Sequence, residues 1–306
     1  MTYPFGRGWQ RVTPYLLLAP GLLLYFLIAL GPSLATSLYS FTDASGVAGA
    51  PVNFIGLENY REFLFAGQAA RDNIDALGRT IIFSVVVSSA QFGLGLLVAI
   101  LLTQQLPGTR FFRTLFFMPV ILGVVIQGLI WRLFLYPLGG PASKIVEMFG
   151  GYSEFLGSTD AFWWVIFVQI WANMGITMII FIAGLQTISV DLYEAANIDG
   201  ASAWQRFRFV TWPLLTPSVN TNLILNIIGS LQAWQLFLVL TGYRQGTQVL
   251  GYVIYAQGFG QTSGSVSNAF RQGYAAAASI VLFFLVLIIG MTAQYVLRRR
   301  EERLLG

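Results

Sequence analysis

The sequence predicts an all-α membrane protein of six transmembrane helices with both termini in the cytoplasm. Three observations predict it. Hydrophobic residues fill 56% of 306 positions and charged residues only 10%, with mean hydropathy +0.69, whereas a soluble domain carries about 25% charged residues. Six apolar runs each approach the roughly 20 residues that cross a bilayer. Lysines and arginines are spread unevenly over the alternate loops, in the pattern that sets membrane orientation.

The first run, residues 14–38, follows Arg7 and Arg11. It is too long for the apolar core of a signal peptide and reads as an uncleaved anchor. Pro20 and Pro32 fall inside it, and neighbouring helices are expected to satisfy the carbonyls they free. In the next outer loop, "NFIGLENYREFLF" (53–65) places Ile55, Leu57, Tyr60, Phe63 and Leu64 at helical spacing. It is expected either to lie on the headgroups or to offer a landing surface for an external partner. The remaining runs are 80–102, 115–136, 162–186, 219–240 and 274–297. Arg79 and Arg132 sit at span ends, where long side chains reach the headgroups. The last outer loop, 242–273, contains "TQVLGYVIYAQGF", read as a short amphipathic element, and "GQTSGSVSN", read as flexible filler. The closing "RRREERLL" fits a stop-transfer flank. No linker and no internal repeat divides the chain, so residues 1–306 are expected to form one membrane domain.

With both termini inside, ten of the seventeen basic residues lie in short cytoplasmic segments: Arg7, Arg11, Arg110, Arg113, Arg206, Arg208, Arg298, Arg299, Arg300 and Arg303. The opposite orientation violates the positive-inside rule. The net charge of +4 therefore reflects topology, and no nucleic-acid partner is implied.

The chain has no cysteine and no histidine, which removes thiol chemistry and the commonest base and metal ligand. No catalytic residue and no metal ligand is assigned. No Asp or Glu lies in the middle of a predicted span, and ion-coupled pumps need such a group. If the protein moves a solute, its energy comes from elsewhere.

Neutral polar groups are present in the spans and are spaced. Asn222, Asn226, Ser230 and Trp234 recur every four residues on one face of the fifth span, with Gln232 and Gln235 nearby. Gln169 and Asn173 form a pair in the fourth span, and Gln127 and Trp131 in the third. Amides donate and accept, and an indole face packs against the C–H surface of a sugar, so this set suits a path for a neutral polyol. The same residues also serve as hydrogen-bonding glue between membrane helices.

Between spans four and five lies a polar island, 187–217. Ser189 is placed as its N-cap, Asp191 and Glu194 in the first turn, and Gly200 as the helix stop. A second helix, "ASAWQRFRFV", then runs towards Pro213. On spacing alone this is a helix–turn–helix connector on the cytoplasmic rim.

The residues themselves are more specific. "EAANIDGASAWQRFRFVTWPLLTP" resembles the EAA loop of binding-protein-dependent ABC importer permeases: Glu194, Ala195, Ala196, Asp199, Gly200, Ala201, Trp204, Phe207, Pro213 and Pro217 fall on the pattern. Trp212 departs from it, standing where leucine is usual. "FIGLENYREFL", "RTLFFMPVIL", "AGLQTIS" and "GYAAAAS" are similar to segments of the carbohydrate (maltose and glycerol-phosphate) branch. After "LTG" at 240–242 the chain reads "YRQG", where many members have a Gly-Gly-Pro turn.

The resemblance implies the type I importer fold and a multi-pass protein of a prokaryotic cytoplasmic membrane. It implies that the island is a coupling helix seated on a cytoplasmic ATP-binding-cassette ATPase dimer. A second six-span permease and an extracytoplasmic substrate-binding protein complete the expected complex. No GxxxxGK[ST] motif occurs, so ATP and Mg belong to the ATPase and this chain binds no cofactor. The leading expectation is the permease subunit of a sugar importer. The alternatives are an importer of another small solute such as a glycerol phosphate, and an ATP-independent channel or facilitator.

Overall fold

The computed structural model describes residues 7–47, 49–104, 107–152, 154–157, 160–242, 246–260 and 270–305. Residues 243–245 and 261–269, which hold most of "YRQG" and "GQTSGSVSN", lie outside the described residues, as do the side chains of Arg7 and Arg11.

The chain opens with α1 (Arg7–Tyr25), a π-turn (Phe26–Leu30) and α2 (Gly31–Tyr39). Together these make the first long apolar helix, Thr13–Tyr39. The π-turn sits immediately ahead of Pro32, where the Gly31 N–H reaches back five residues to the Phe26 carbonyl. Ser33 Oγ donates to the Ala29 carbonyl at 2.7 Å. Both bonds lie within the helix itself and border Pro32. None of the most apolar stretch of this helix is buried inside the chain.

The outer-loop helix is α3 (Glu58–Phe65), shorter than 53–65, with Ile55 and Leu57 ahead of it. It does not rest freely on the headgroups. Phe63 is fully buried against Tyr274, the Tyr60 hydroxyl meets Ser40 Oγ at 2.7 Å, and Glu62 pairs with Arg271.

α4 (Gly67–Thr103) is 37 residues long and starts well before the predicted 80. Its buried face is a helical stripe that includes Ala76, Phe83, Val87, Gln91 and Ala99. Arg79 consequently lies inside the helix, where its Nε donates to the Gln248 carbonyl at 2.9 Å and latches the segment ahead of residue 250.

The predicted span 115–136 is two helices, α5 (Thr109–Ile121) and α6 (Val124–Phe134), which meet at a bend of 102°. Pro119 weakens the end of α5, and extended backbone at Leu122 and Gly123 makes the corner. A short helix α7 (Pro141–Met148) and a 3-10 turn (Phe155–Gly157) lead to α8 (Ala161–Gln186), the predicted fourth span. α8 is the central helix, packed on α4, on α5 and on residues 216–231. A Cβ at Gly95 of α4 would stand 2.6 Å from Thr177, so only glycine lets α4 and α8 come this close.

After the polar island come α12 (Thr216–Leu231), α13 (Gln235–Leu240), α14 (Leu250–Phe259) and α15 (Gln272–Leu305). The predicted span 219–240 is corrected here. It breaks at 232–234, and α12 is ~24 Å long at ~1.5 Å per residue, short of a ~30 Å hydrocarbon core. α14, expected to be amphipathic, is buried: Leu250 and Tyr252 are inaccessible and it packs on α15 and α4. The basic tail does not peel away from the sixth span but continues α15 as helix.

Among the described residues, then, four helices are long and apolar enough to cross a membrane unbroken, and the bent α5–α6 pair makes a fifth. The protein is all-helical; the described residues hold a single isolated bridge, Thr42 to Phe54. In the main core Phe83 meets Phe237 at 5.2 Å and Phe162 at 6.2 Å between ring centroids. A second core surrounds Phe181, Met178 and Leu215, next to the polar island.

Candidate functional site

The two breaks in the predicted spans face one another. α6 brings Gln127, α8 brings Gln169 and Asn173, and the 232–235 break brings Gln232, Trp234 and Gln235 to one cup of 390 Å³. Gln127 is built into the corner: its Nε2 donates to the Leu122 carbonyl at 3.0 Å and to the Pro119 carbonyl at 2.7 Å, which also accepts from the Leu122 N–H at 3.1 Å. Asn173 Nδ2 donates to the Gln169 backbone carbonyl at 3.3 Å. Trp234 has φ −148°, and its ring stacks on Tyr255 of α14 at 4.6 Å and 21°. Gln232 and Gln235 are exposed. The lining carries amides and one indole but no ionisable side chain, so it can exchange hydrogen bonds with hydroxyls and pack against an apolar ring face, and it offers no acid–base chemistry. No group of three or more acidic, histidine or cysteine side chains that could hold a metal occurs among the described residues.

The remaining path candidates separate from this cup. Asn222 is buried and its Nδ2 donates to the Thr177 carbonyl at 3.4 Å. Asn226 Oδ1 accepts from Thr177 Oγ1 at 3.2 Å. Ser230 Oγ lies 2.8 Å from Ser84 Oγ and 3.1 Å from Ser88 Oγ. These three bind α12 to α8 and α4. Trp131 packs edge-on against Phe134, Phe167 and Trp171, and its buried Nε1 has no hydrogen-bond partner. Sequence reasoning missed Ser84, Ser88 and Gln91 of α4; Gln91 Nε2 donates to the Gln169 carbonyl at 2.9 Å. Their spacing of four and three residues was the available signal.

On the opposite rim the island forms α9 (Val190–Ile198), α10 (Ala203–Arg206), a second π-turn (Phe207–Thr211) and α11 (Trp212–Leu214). Ser189 caps α9, with its hydroxyl accepting from the Asp191 N–H at 3.3 Å. Asp191 is in the first turn, but Glu194 lies beyond it. Gly200 takes φ +75°, the Ala201 N–H reaches the Ala196 carbonyl at 2.9 Å, and the Gly200 N–H reaches Asn197 at 3.0 Å. This pair of bonds closes a Schellman stop. Ser202 and Gln205 form a capping box on α10. The single expected helix 201–210 is thus one regular turn followed by a π-turn, where the Trp212 N–H bonds the Phe207 carbonyl one residue ahead of Pro213. No α9 residue is buried; Glu194, Ala195, Asp199 and Trp204 are exposed, and Ala196, Ala201 and Phe207 are half-buried. Ile198 at 87% and Trp204 at 68% exposure are far more open than such side chains are in a finished surface.

Residues 91–303 match the profile described as "Binding-protein-dependent transport system inner membrane component". The chain belongs to that family. It is 30% identical over 294 residues, 94% of each chain, to the "Probable starch degradation products transport system permease protein AmyD" of Thermoanaerobacterium thermosulfurigenes. It is equally 30% identical over 288 residues, 93% of each, to the "sn-glycerol-3-phosphate transport system permease protein UgpA" of Agrobacterium fabrum. The fold matches a chain of a bacterial alginate ABC transporter in complex with an alginate pentasaccharide-bound periplasmic protein, with a TM-score of 0.80 and 22% identity over 97% of this chain and 99% of that one.

This permease is therefore a multi-pass inner-membrane transport subunit of an ABC system and not an enzyme. Members of this family belong to binding-protein-dependent transport systems.

Proposed function

We propose that this permease forms half of the translocation path of a sugar or oligosaccharide importer, and that the island 187–217 couples it to a separate ATPase. The observation that carries the reading is the cup at the two helix breaks, with four glutamines, one asparagine and one indole and no charge. The UgpA likeness favours a glycerol phosphate as the second reading, but a phosphate calls for cationic partners that the cup does not supply. AmyD is described as a probable permease of a transport system for starch degradation products, and the alginate transporter as involved in import of an acidic polysaccharide.

In this reading the chain is one membrane domain that crosses six times, the broken α5–α6 and α12–α13 elements each counting as one crossing. Both termini and the island are cytoplasmic. Glu194, Ala195, Ala196, Asp199, Gly200, Ala201, Trp204 and Phe207 make the ATPase-facing surface, and the bare apolar side chains around them support a docked protein. A second permease and an ATPase dimer complete the assembly, with ATP and Mg bound by the ATPase. The uncovered first helix suits a lipid or second-permease contact.

The test is ATP-dependent uptake in membrane vesicles of starch-derived oligosaccharides, alginate oligosaccharides and sn-glycerol 3-phosphate. Gly200→Asp and Glu194→Lys are expected to abolish uptake while the complex still assembles. Unchanged uptake in both would remove the coupling role and favour a facilitator.

A further inference from the structure

Resting on that coupling role, we propose that the cytoplasmic end of α15 braces the island, with Trp212 as the hub and Arg300 and Glu301 as positioning residues. The segment between island and bundle is the weak point of any mechanical link. Phe207–Thr211 is a π-turn, and Pro213 offers no N–H, so the regular helical ladder is interrupted between α10 and α12. A joint of this kind passes a displacement on only if its side chains are held.

They are held from both directions. From the island, Trp204 meets Phe207 at 5.6 Å and Phe207 meets Trp212 at 6.0 Å, while the Tyr193 hydroxyl reaches Thr211 Oγ1 at 3.0 Å. From the bundle, Trp212 meets Phe92 edge-on at 6.5 Å, and Phe92 meets Phe181 in the second core at 5.2 Å. The tail supplies the third side. The Arg300 guanidinium lies 5.1 Å over the Trp212 ring. One turn into α12, Asn220 is only 7% exposed; its Nδ2 donates to Glu301 Oε2 at 2.6 Å and to the Leu297 carbonyl at 3.3 Å. Its Oδ1 is buried without a partner, so α15 alone orients this amide through its hydrogen bonds. The "RRREERLL" segment, read as a plain anchor, thereby holds the bundle side of the interrupted joint, at Trp212 and at the first turn of α12. Two of its other basic residues turn to their own helix: Arg298 pairs with Glu302 at 3.2 Å and Arg299 stacks on Tyr295 at 4.4 Å.

The test uses the complex co-purified with its ATPase and binding protein in nanodiscs. ATPase rate is read with and without binding protein loaded from starch-derived oligosaccharides, alginate oligosaccharides and sn-glycerol 3-phosphate. The stimulated-to-basal ratio is expected to fall about two- to fivefold in Arg300→Gln and to recover in Arg300→Lys, which keeps a cation over the ring. Trp212→Leu is expected to lower the ratio by itself and to abolish the effect of Arg300→Gln, and Glu301→Gln to lower it independently. Subunit stoichiometry and melting temperature serve as controls, since a merely structural role lowers these and leaves the ratio alone. An unchanged ratio in Arg300→Gln and Glu301→Gln, in a preparation where Gly200→Asp uncouples, overturns the brace and leaves the coupling role standing. An unchanged ratio in Gly200→Asp overturns both.

Discussion

Gly200 permits a test of the island that needs no knowledge of substrate. It sits at φ +75° directly after α9, and a Cβ built on it meets nothing within 4 Å. Replacing it by alanine therefore adds no collision and isolates the backbone term. A left-handed conformation costs an ordinary L-residue roughly 1–2 kcal/mol, and asparagine visits this region more readily. The stop is held by two bonds, Ala201 N–H to Ala196 at 2.9 Å and Gly200 N–H to Asn197 at 3.0 Å. No α9 residue is buried, and beside the stop α9 is tied to the joint by the Tyr193 hydroxyl on Thr211 at 3.0 Å, a contact the substitution leaves in place. A penalty of that size raises the open fraction about five- to thirtyfold, at tenfold per ~1.4 kcal/mol. Amide hydrogen exchange of residues 196–201 reads it directly. Gly200→Ala should exchange faster by that factor and Gly200→Asn by only a small part of it, with exchange in α4 and α8 unchanged. Equal exchange in all three proteins would refute the argument, because the left-handed geometry would then not be what closes the stop.

Further consequences are as direct. In the cup, Gln169→Ala and Gln235→Ala should reduce uptake by about tenfold, the effect of losing one buried hydrogen bond to a ligand of ~1–1.5 kcal/mol. Asn226→Ala and Ser230→Ala should act on thermal stability first, and equal uptake losses at all four would mean that cup and glue are one site. Phe83→Ala removes a fully buried ring between Phe162 and Phe237 and should destabilise by about 3–5 kcal/mol; a melting temperature like that of the wild type would show that the main core is not closed around it. On the outer turn, the Asn53 side chain and then its backbone N–H hold the Asp43 carboxyl below its ordinary 3.8. A depressed carboxylate stabilises the turn above the ordinary value, and that contribution disappears as pH falls through the depressed one. Acidification from 7 to 5 should thus leave the turn intact, and Asn53→Ala should return the Asp43 titration, followed by NMR, towards 3.8.

Much of this permease was legible in its sequence because lipid imposes one demand, that each crossing satisfy its own backbone. Apolar length and arginine placement were enough to locate 14–38, 162–186 and 274–297 to within a few residues, apart from the tail that prolongs α15. The start and stop of α9 were also legible, since capping is local chemistry: Ser189 and Gly200 act on residues within a turn of themselves, whereas the Ser202–Gln205 box was not read. The start of α4 was not legible, because its outer turns are polar and become helix by packing against α3.

The cup depended on the tertiary structure. Composition placed amides and indoles in three spans, but a four-residue repeat cannot tell which of them face a neighbouring helix and which face space. Asn222, Asn226 and Ser230 found partners on α8 and α4, whereas Gln127, Gln169 and Gln235 met around a bend. Pro119 marks one break in the sequence; no proline or glycine lies at 232–234 to mark the other. That second break accompanies the stacking of Trp234 on Tyr255, and a contact between residues on separate elements is decided by packing rather than by local pattern. Sequence alone settled the solvent, the long helices and the capped loop. Packing alone decided where helices stop being helical, and in this protein those places hold the candidate path.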